Sequence, residues 1–573
     1  MESKSKNESI IQKLDKTNEF DREPIAPEKL QSGRYFAGLF AGEHVAATEF
    51  VIGALFVTWG AKASDILLGL ILGNLLAVLS WTLVVAPIAV QTRLTLYWYL
   101  RRIAGPHVTI VYNFLNAILY CILAGAMITV SASAIRLPFK IPAQTHWYPQ
   151  DLRFVIVVLV VGTIVVTLAI LGFKRLAQFS SVCSPWMFIM FIAGAFATLP
   201  ALAASMATVE NVKSFSDFWI VAKEAIWTGK SLGNNAPLGF WHVAAFAWIC
   251  NLAMHIGLSD MAIFRYAKKV SYGLYSSFGM FLGHYLAWIA AGIMGAAAAT
   301  ALNTSLLKLD SGEVAYYALG FSGALAVVIA GWTTSNPTLY RAGLALQVIT
   351  PGWPRWVVTL IAGVITTLIA CFPFVFTKLL DFVGIYGLLL APMGAVVFVE
   401  HWIFPKIGLT RYWVSYTKSL FNWPALLSWS VSILLAIWLW QSNIVHLFFL
   451  LTPVWSLTSI LYIVFAALAG AGKIKPSKEA LNHFDSGRIT VPESRTARPG
   501  SDSPFIVKSA GVIAGLALVG CFFIPLRVFL LGTEEYVSHL ANMKVALTWL
   551  TLVYFVAGTF YYIQREKLKN ITE

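Results

Sequence analysis

The sequence predicts an all-α polytopic membrane protein, and three observations carry that reading. Hydrophobic residues fill 58% of the 573 positions and charged ones only 12%. Mean hydropathy is +0.73. Apolar runs of about 20 residues, the length a helix needs to cross a bilayer, recur along the chain. About 14 spanning helices are expected on that criterion, near residues 34–58, 65–90, 107–133, 153–173, 177–206, 239–267, 272–301, 317–349, 356–377, 379–403, 423–441, 444–470, 508–532 and 543–562. Residues before the first span are polar and carry no apolar core, so no cleavable signal peptide is expected and that span serves as its own insertion signal.

Charge orients the chain. With the N-terminus inside, the inner loops receive Arg93, Arg101 and Arg102; Lys174 and Arg175; Arg265, Lys268 and Lys269; Arg355; Lys406, Arg411 and Lys418; and the basic 473–508 segment. Together with both tails these are most of the 41 Lys and Arg, so the positive-inside rule places both termini in the cytoplasm of a plasma (inner) membrane protein. The net charge of +14 is then a topological signature and an attraction to anionic membrane lipid, and no nucleic-acid partner is expected. Cys121, Cys183, Cys250, Cys371 and Cys521 all fall inside expected spans at no disulfide or zinc spacing, which predicts buried free thiols.

Five sections follow from composition: a cytoplasmic tail over 1–33, a ten-helix core over 34–403, helices 11 and 12 over 404–470, a charged Pro, Ser and Arg-rich linker over 471–507, and an extra helical pair with its tail over 508–573. The long outer connection, about 207–238, mixes charge with Trp219 and Trp227 and suits a short surface helix. A five-plus-five division of helices 1–10 sets helices 1 and 6 in corresponding positions, the arrangement that places a binding site at the midplane of inverted-repeat transporters.

Both of those helices are interrupted. Helix 1 carries Gly38, Gly42, Glu43, His44, Thr48, Glu49 and Gly53 near its centre, where each ionised group costs at least about 2.5 kcal/mol on insertion scales. Unwinding near Ala46 to Thr48 would free carbonyls to hold a cation. The alternative is structural: Glu43 and His44 paired with an inner gate, Glu49 in a wet vestibule. Helix 6 repeats the pattern with Trp248, Asn251, His255, Gly257, Ser259 and Asp260 before Arg265 and Tyr266. His255 reads equally as a satisfied core histidine. Helix 8 places Thr333, Thr334, Ser335, Asn336, Pro337 and Thr338 in the middle of an apolar run, polar groups tolerated at that depth mainly where they line a site.

These residues resemble the nucleobase:cation symporter family one, purine-cytosine permease branch. Gly73-Asn74-Leu75-Leu76, then Ala86-Pro87 and Arg101-Arg102-Ile103-Ala104-Gly105, is similar to the family's run in helices 2 and 3. Asp260 with Arg265-Tyr266-Ala267 resembles the end of its helix 6. Trp332-Thr333-Thr334 through Leu339-Tyr340 to Gly343-Leu344 resembles its helix 8, and Asn422-Trp423-Pro424 the start of its helix 11. The resemblance implies a LeuT-type five-plus-five inverted repeat, alternating access, and import of a nucleobase or related heterocycle by symport with Na+ or H+, without any other cofactor. It also implies a sodium site on helix 1 carbonyls, near Ala46, with Ala330, Thr333 and Thr334 of helix 8. Those residues suit a dehydrated Na+, which takes neutral oxygens; back-bonding of the two hydroxyls to the preceding turn is the alternative.

The chain departs from the family pattern in several places. Tyr120 stands where the family has Trp, Leu123-Ala124 lacks the usual Gln, the Asp260-to-Arg265 spacing is longer, and a helical pair follows residue 508. For a planar base, Tyr120 and Trp248 offer stacking faces, Asn116, Asn251 and Asn336 offer edge donors and acceptors, and Thr48 and Glu49 add acceptors from helix 1. Either Trp248 or Asn251 could face the substrate. Glu43, His44, Asp260 and Arg265 are expected to couple or gate, with Glu43, Glu49 and His255 as competing proton carriers. A hydantoin, allantoin or a thiamine precursor is the same-class alternative; a membrane sensor or channel reusing the fold is the other. No metal-binding His cluster or nucleophile–base pair stands at enzyme-like spacing, so an intramembrane enzyme is not expected.

Overall fold

The computed structural model describes residue 20 and residues 22–233, 236–377, 379–474, 505–533 and 535–572. Most of the expected linker, 475–504, and the first 19 residues of the expected tail lie outside the described residues. Among the described residues the chain is helical, with two isolated β-bridges, Gln31↔Ala267 and Lys62↔Thr228.

Ten helices are long and apolar enough to cross a bilayer, or eleven if the bent pair Gly33–His44 and Thr48–Thr58 is one span. The protein is therefore an integral membrane protein. The other three expected spans are helical but different in kind. The sixth is broken into Phe240–Ile249, Leu252–His255 and Met261–Phe264. The eighth, Phe321–Ile349, is 29 residues long, with a polar centre that lowers its hydropathy. The ninth, Arg355–Ala370, has 16 residues, short of a full crossing. Span 3 begins earlier than expected, at Leu96, because Leu96–Ile135 runs through a kink at Gly105, whose φ of 75° only glycine adopts freely. The long outer connection contains the helix Phe215–Val221, closed by a Ser214–Asp217 capping box.

Two of the sequence motifs meet at the span 3 kink. Asn422 donates through Nδ2 to the Ile103 carbonyl at 2.8 Å, its backbone N–H reaches Ala104 O at 3.2 Å, and its Oδ1 accepts from Ala425 N at 3.1 Å. Asn422 is thus the N-cap of span 11 (Trp423–Gln441) and the partner of the carbonyls freed by Gly105-Pro106, while Pro424 occupies the first turn, where no N–H is needed. The Asn422-Trp423-Pro424 tripeptide is thus explained largely by backbone accounting, with one further bond from Asn422 Nδ2 to the Tyr462 hydroxyl at 3.2 Å.

The final pair, Phe505–Leu531 and Tyr536–Thr572, packs on itself and along span 5, Phe173–Ala204. Trp186 Nε1 donates to Thr551 Oγ1 at 3.1 Å, Thr551 lies 3.3 Å from Ser322 Oγ of span 8, and the Tyr554 and Tyr536 hydroxyls donate to Val182 O and Ala197 O. At one end Glu566 accepts from Arg34 at 2.6 Å and Tyr35 at 2.7 Å. The pair is thereby fastened to the core at both ends and the middle. Thr551→Val removes the shared oxygen and orphans Trp186 Nε1. Side-chain hydrogen bonds between membrane helices average about 0.6 kcal/mol, so thermal unfolding in detergent should fall by that order for Thr551→Val and be retained by Thr551→Ser.

Candidate functional site

Span 1 stops at His44 and restarts at Thr48 after a bend of 52°; Val45 leaves helical geometry with ψ 62°. Span 6 comes apart between Ile249 and Met261, where Leu258 sits at a left-handed φ of 64°. A branched side chain pays about 1–3 kcal/mol for such a conformation, and it persists only where the surroundings enforce it.

The enforcing contact is a buried charge bridge. Arg341 of span 8, with no exposed surface, donates Nη1 and Nη2 to Glu43 at 2.6 and 3.1 Å, and Nε and Nη2 to Asp260 Oδ1 at 3.0 and 2.5 Å. Trp81 Nε1 of span 2 donates to the other Asp260 oxygen at 2.6 Å. One guanidinium therefore joins the end of the first half of span 1 to the break in span 6. Glycines let neighbouring backbones close over both breaks. A Cβ on Gly283 of span 7 would overlap the His44 carbonyl, and one on Gly279 would lie 2.8 Å from Phe40 O; in span 10, a Cβ on Gly394 would overlap the Ile256 carbonyl. These are close small-residue packings of the kind that hold membrane helices together.

Between the breaks lies a cavity of about 70 Å³, room for a few waters. Glu43, His44, Ala46, Thr48, Glu49, Asn251 and Thr334, all expected from the sequence, line it, with His284, Tyr386 and Cys250. Glu49 is 2% exposed, accepts from Trp288 Nε1, and stands 3.8 Å from His284 Nε2. His284 is stacked on the Trp288 ring at 4.3 Å and lies 3.3 Å from the Asn251 amide. The wall thus offers a carboxylate, an amide, a hydroxyl and an imidazole in one place.

Behind Glu43, the Thr334 hydroxyl is 2.9 Å from both Glu43 O and Ala330 O. Three oxygens converge there across spans 1 and 8, beside a bridge holding two carboxylates against one guanidinium. Neutral oxygens in that setting suit a small cation. Thr333 differs: its hydroxyl back-bonds to Ile329 O and Ala330 O, each at 3.1 Å.

Other expected residues stand elsewhere. Trp248 donates Nε1 to Ser80 of span 2 at 3.1 Å, Tyr120 bonds Ser259 through its hydroxyl, and His255 Nε2 meets the Trp248 carbonyl at 2.8 Å across the break. None of the three lines the cavity, nor do Asn116 and Asn336, although both are buried. The Asn336 amide has no hydrogen-bond partner among the described residues. Arg265 lies farther along: it reaches Phe20 O at 2.5 Å and Tyr340 OH at 3.3 Å, beneath a segment in which Ile25 N bonds Arg93 O and Gln31 N bonds Tyr266 O. It does not line the cavity. Sequence reasoning missed Arg341, Trp81, His284 and Trp288; the signal available for Arg341 was a lone arginine inside an apolar helix.

No family model matches the chain, and no curated protein matches it in sequence. Solved structures do match in fold. Mhp1, a nucleobase-cation-symport-1 family transporter, in a closed conformation with bromovinylhydantoin bound, superposes with a TM-score of 0.62 at 15% identity over 82% of this chain and 99% of that one. The inward-facing conformation of Mhp1 gives 0.58 at 15% identity, covering 81% and 96%. A substrate-bound, outward-open Na+-coupled sialic acid symporter gives 0.56 at 12% identity, covering 81% and 94%. The chain therefore has the LeuT-type fold of these transporters.

The glycine contacts give a direct test of the packing around the breaks. Gly283→Ala and Gly394→Ala each push a methyl into a backbone carbonyl, which cannot move aside, and overpacking of this kind costs about 1–3 kcal/mol or more. Gly239, with no atom within 4 Å of an added Cβ, is the control. Thermal unfolding of the purified variants should fall for the first two and stay near the parent for Gly239→Ala.

Proposed function

We propose that the protein is a secondary active transporter, of the nucleobase:cation symport-1 type, that imports a small nitrogenous heterocycle together with Na+ by alternating access. The single observation that carries the substrate class is Glu49: a buried carboxylate on the wall of a cavity between two broken helices, a wall it shares with the Asn251 amide. A ring N–H of a nucleobase or a hydantoin donates to the carboxylate, and the amide supplies a complementary donor or acceptor on the same edge. Tyr386, on the same wall, offers the aromatic face that Tyr120 and Trp248 do not. Asn336 adds an unmatched amide within span 8. The fold shared with Mhp1 and with a Na+-coupled symporter supports the transport reading.

The convergence of Glu43 O, Ala330 O and Thr334 Oγ1 supports sodium as the coupling ion. Sodium there would tie span 1 to span 8 directly, so its binding and that of substrate in the adjoining cavity favour the same closed arrangement and strengthen each other reciprocally. Both termini are read as cytoplasmic, from the distribution of Lys and Arg. A proton-coupled version is favoured by one feature only: among the described residues, Glu49 has no cationic partner within ion-pair distance other than His284.

Uptake of labelled nucleobases and hydantoins into proteoliposomes, with counterflow, tests the proposal. Saturable, sodium-stimulated uptake is expected, and no uptake or counterflow of any such compound would refute it. Thr334→Val keeps the shape and removes one oxygen; sodium should then no longer tighten substrate binding, and unaltered sodium dependence would contradict the assigned ion site. Glu49→Gln should weaken binding by roughly 10- to 150-fold, the value of a hydrogen bond to a charged group at about 1.5–3 kcal/mol. If uptake becomes insensitive to a pH gradient in Glu49→Gln while sodium dependence persists in Thr334→Val, the ion is the proton.

A further inference from the structure

A second and larger cavity, about 500 Å³, lies away from the transport site, between span 5, span 8 and the last helix. Pockets of about 300–1,000 Å³ take ligands of substantial size. Its inner wall is apolar: Phe179 and Val182 of span 5, Ile329 and Trp332 of span 8, Phe555 of the last helix. Its outer edge is formed by Thr559 and Ile563, which are exposed on the surface that faces the bilayer. Its mouth, at the end of the molecule where Arg34 meets Glu566, carries Lys174, Arg175 and Lys567, all exposed. Among the described residues the one acid there, Glu566, is occupied by Arg34 and Tyr35 and so does not neutralise the mouth. The Trp332 indole N–H is buried on the wall and has no hydrogen-bond partner among the described residues.

We propose that this cleft is a binding site for one anionic phospholipid of the cytoplasmic leaflet, an acyl chain lying in the apolar part and the phosphate at Lys174, Arg175 and Lys567. The charge complementarity identifies the occupant. Three cations beside an apolar slot that opens sideways into the bilayer match a molecule with a negative head and a hydrocarbon tail, and the positive-inside rule puts that end of the protein at the leaflet where anionic lipids are concentrated. A soluble anion would have no use for the apolar wall; a neutral lipid would have none for the basic mouth. The last helix contributes one whole side of the slot, which gives the C-terminal pair a role in the fold: it builds the site. Trp332 precedes Thr333 and Thr334, so a chain seated against it lies directly behind the helix that reaches Glu43.

The test uses the full-length protein purified in detergent, with dioleoyl phosphatidylglycerol, dioleoyl phosphatidylcholine and glycerol 3-phosphate as probes. Retained lipid is read by native mass spectrometry and stability by thermal unfolding. The parent should retain phosphatidylglycerol and be stabilised by it, and not by the other two. Each basic side chain near an anionic surface is worth about fivefold in affinity, so the triple variant K174Q/R175Q/K567Q should bind phosphatidylglycerol on the order of a hundredfold more weakly. Thr559→Trp, which leaves the basic mouth intact and fills the slot, should also lose the retained lipid. The control K268Q/K269Q, on exposed lysines outside the cleft, should behave as the parent. The proposal is overturned if the triple variant and Thr559→Trp keep the lipid, if phosphatidylcholine or glycerol 3-phosphate stabilises equally well, or if the control loses binding to the same extent.

Discussion

The guanidinium of Arg341 is the contact on which the rest of the arrangement depends. It is fully buried in span 8 and bonded to two carboxylates, Glu43 at the end of the first half of span 1 and Asp260 at the broken stretch of span 6. Separated from one another, none of these three charges would be tolerable at that depth, since each carries a desolvation penalty of several kcal/mol. Together they convert that penalty into a constraint: both broken helices must present their ends to the same side chain. Trp81 completes the coordination of Asp260, and the left-handed Leu258 sits two residues before it. The local strain and the ion bridge are two sides of one device.

Once the breaks are fixed, the cavity follows. Glycines at 279 and 283 of span 7 and at 394 of span 10 let backbone approach backbone around the interrupted stretches, so the space left over is small and its walls come from residues next to the breaks. Those are Glu49, Asn251, His284 and Tyr386. The oxygens at Thr334, Ala330 and Glu43 share an edge with the bridge, which places any bound cation where it would strengthen the same junction. Under the proposed transport function, alternating access would open and close the contact of spans 1 and 6 with span 8, and the ion and the substrate would act on one mechanical joint.

Much of this was legible in the sequence, and the failures have physical reasons. Composition gives the membrane class; the polar centres of helices 1 and 6 give the interrupted spans, and the unwinding expected at Ala46 to Thr48 is found one residue earlier, from Val45. Asn422-Trp423-Pro424 marks a cap. What could not be read is which way a side chain faces beyond a break. Helical periodicity stops at Ile249 and resumes after Asn251, so Trp248 and Asn251 do not share one helical phase; Asn251 turns to the cavity and Trp248 to Ser80. Tyr120 sits close to Tyr386, 5.6 Å between ring centroids, but its hydroxyl is held by Ser259 and Tyr386 takes the place on the wall. Arg341, a lone arginine in an apolar helix, signals a buried charge locally, but its partners lie 298 and 81 residues away, and pairing over such distances leaves no local trace in a single sequence.

The central claim is that Glu43, Arg341 and Asp260 act as one unit, and a double-mutant cycle measures that most directly. The full-length protein and the variants Glu43→Gln, Arg341→Met and the two combined would be compared by thermal and denaturant unfolding in the same detergent. Arg341→Met alone leaves two buried carboxylates without a counter-charge, a loss on the order of 3–5 kcal/mol. In the Glu43→Gln background one of those charges is already gone, so the account predicts a markedly smaller cost and strong non-additivity. Effects that add to within about 0.5 kcal/mol, as they do for independent sites, would contradict it.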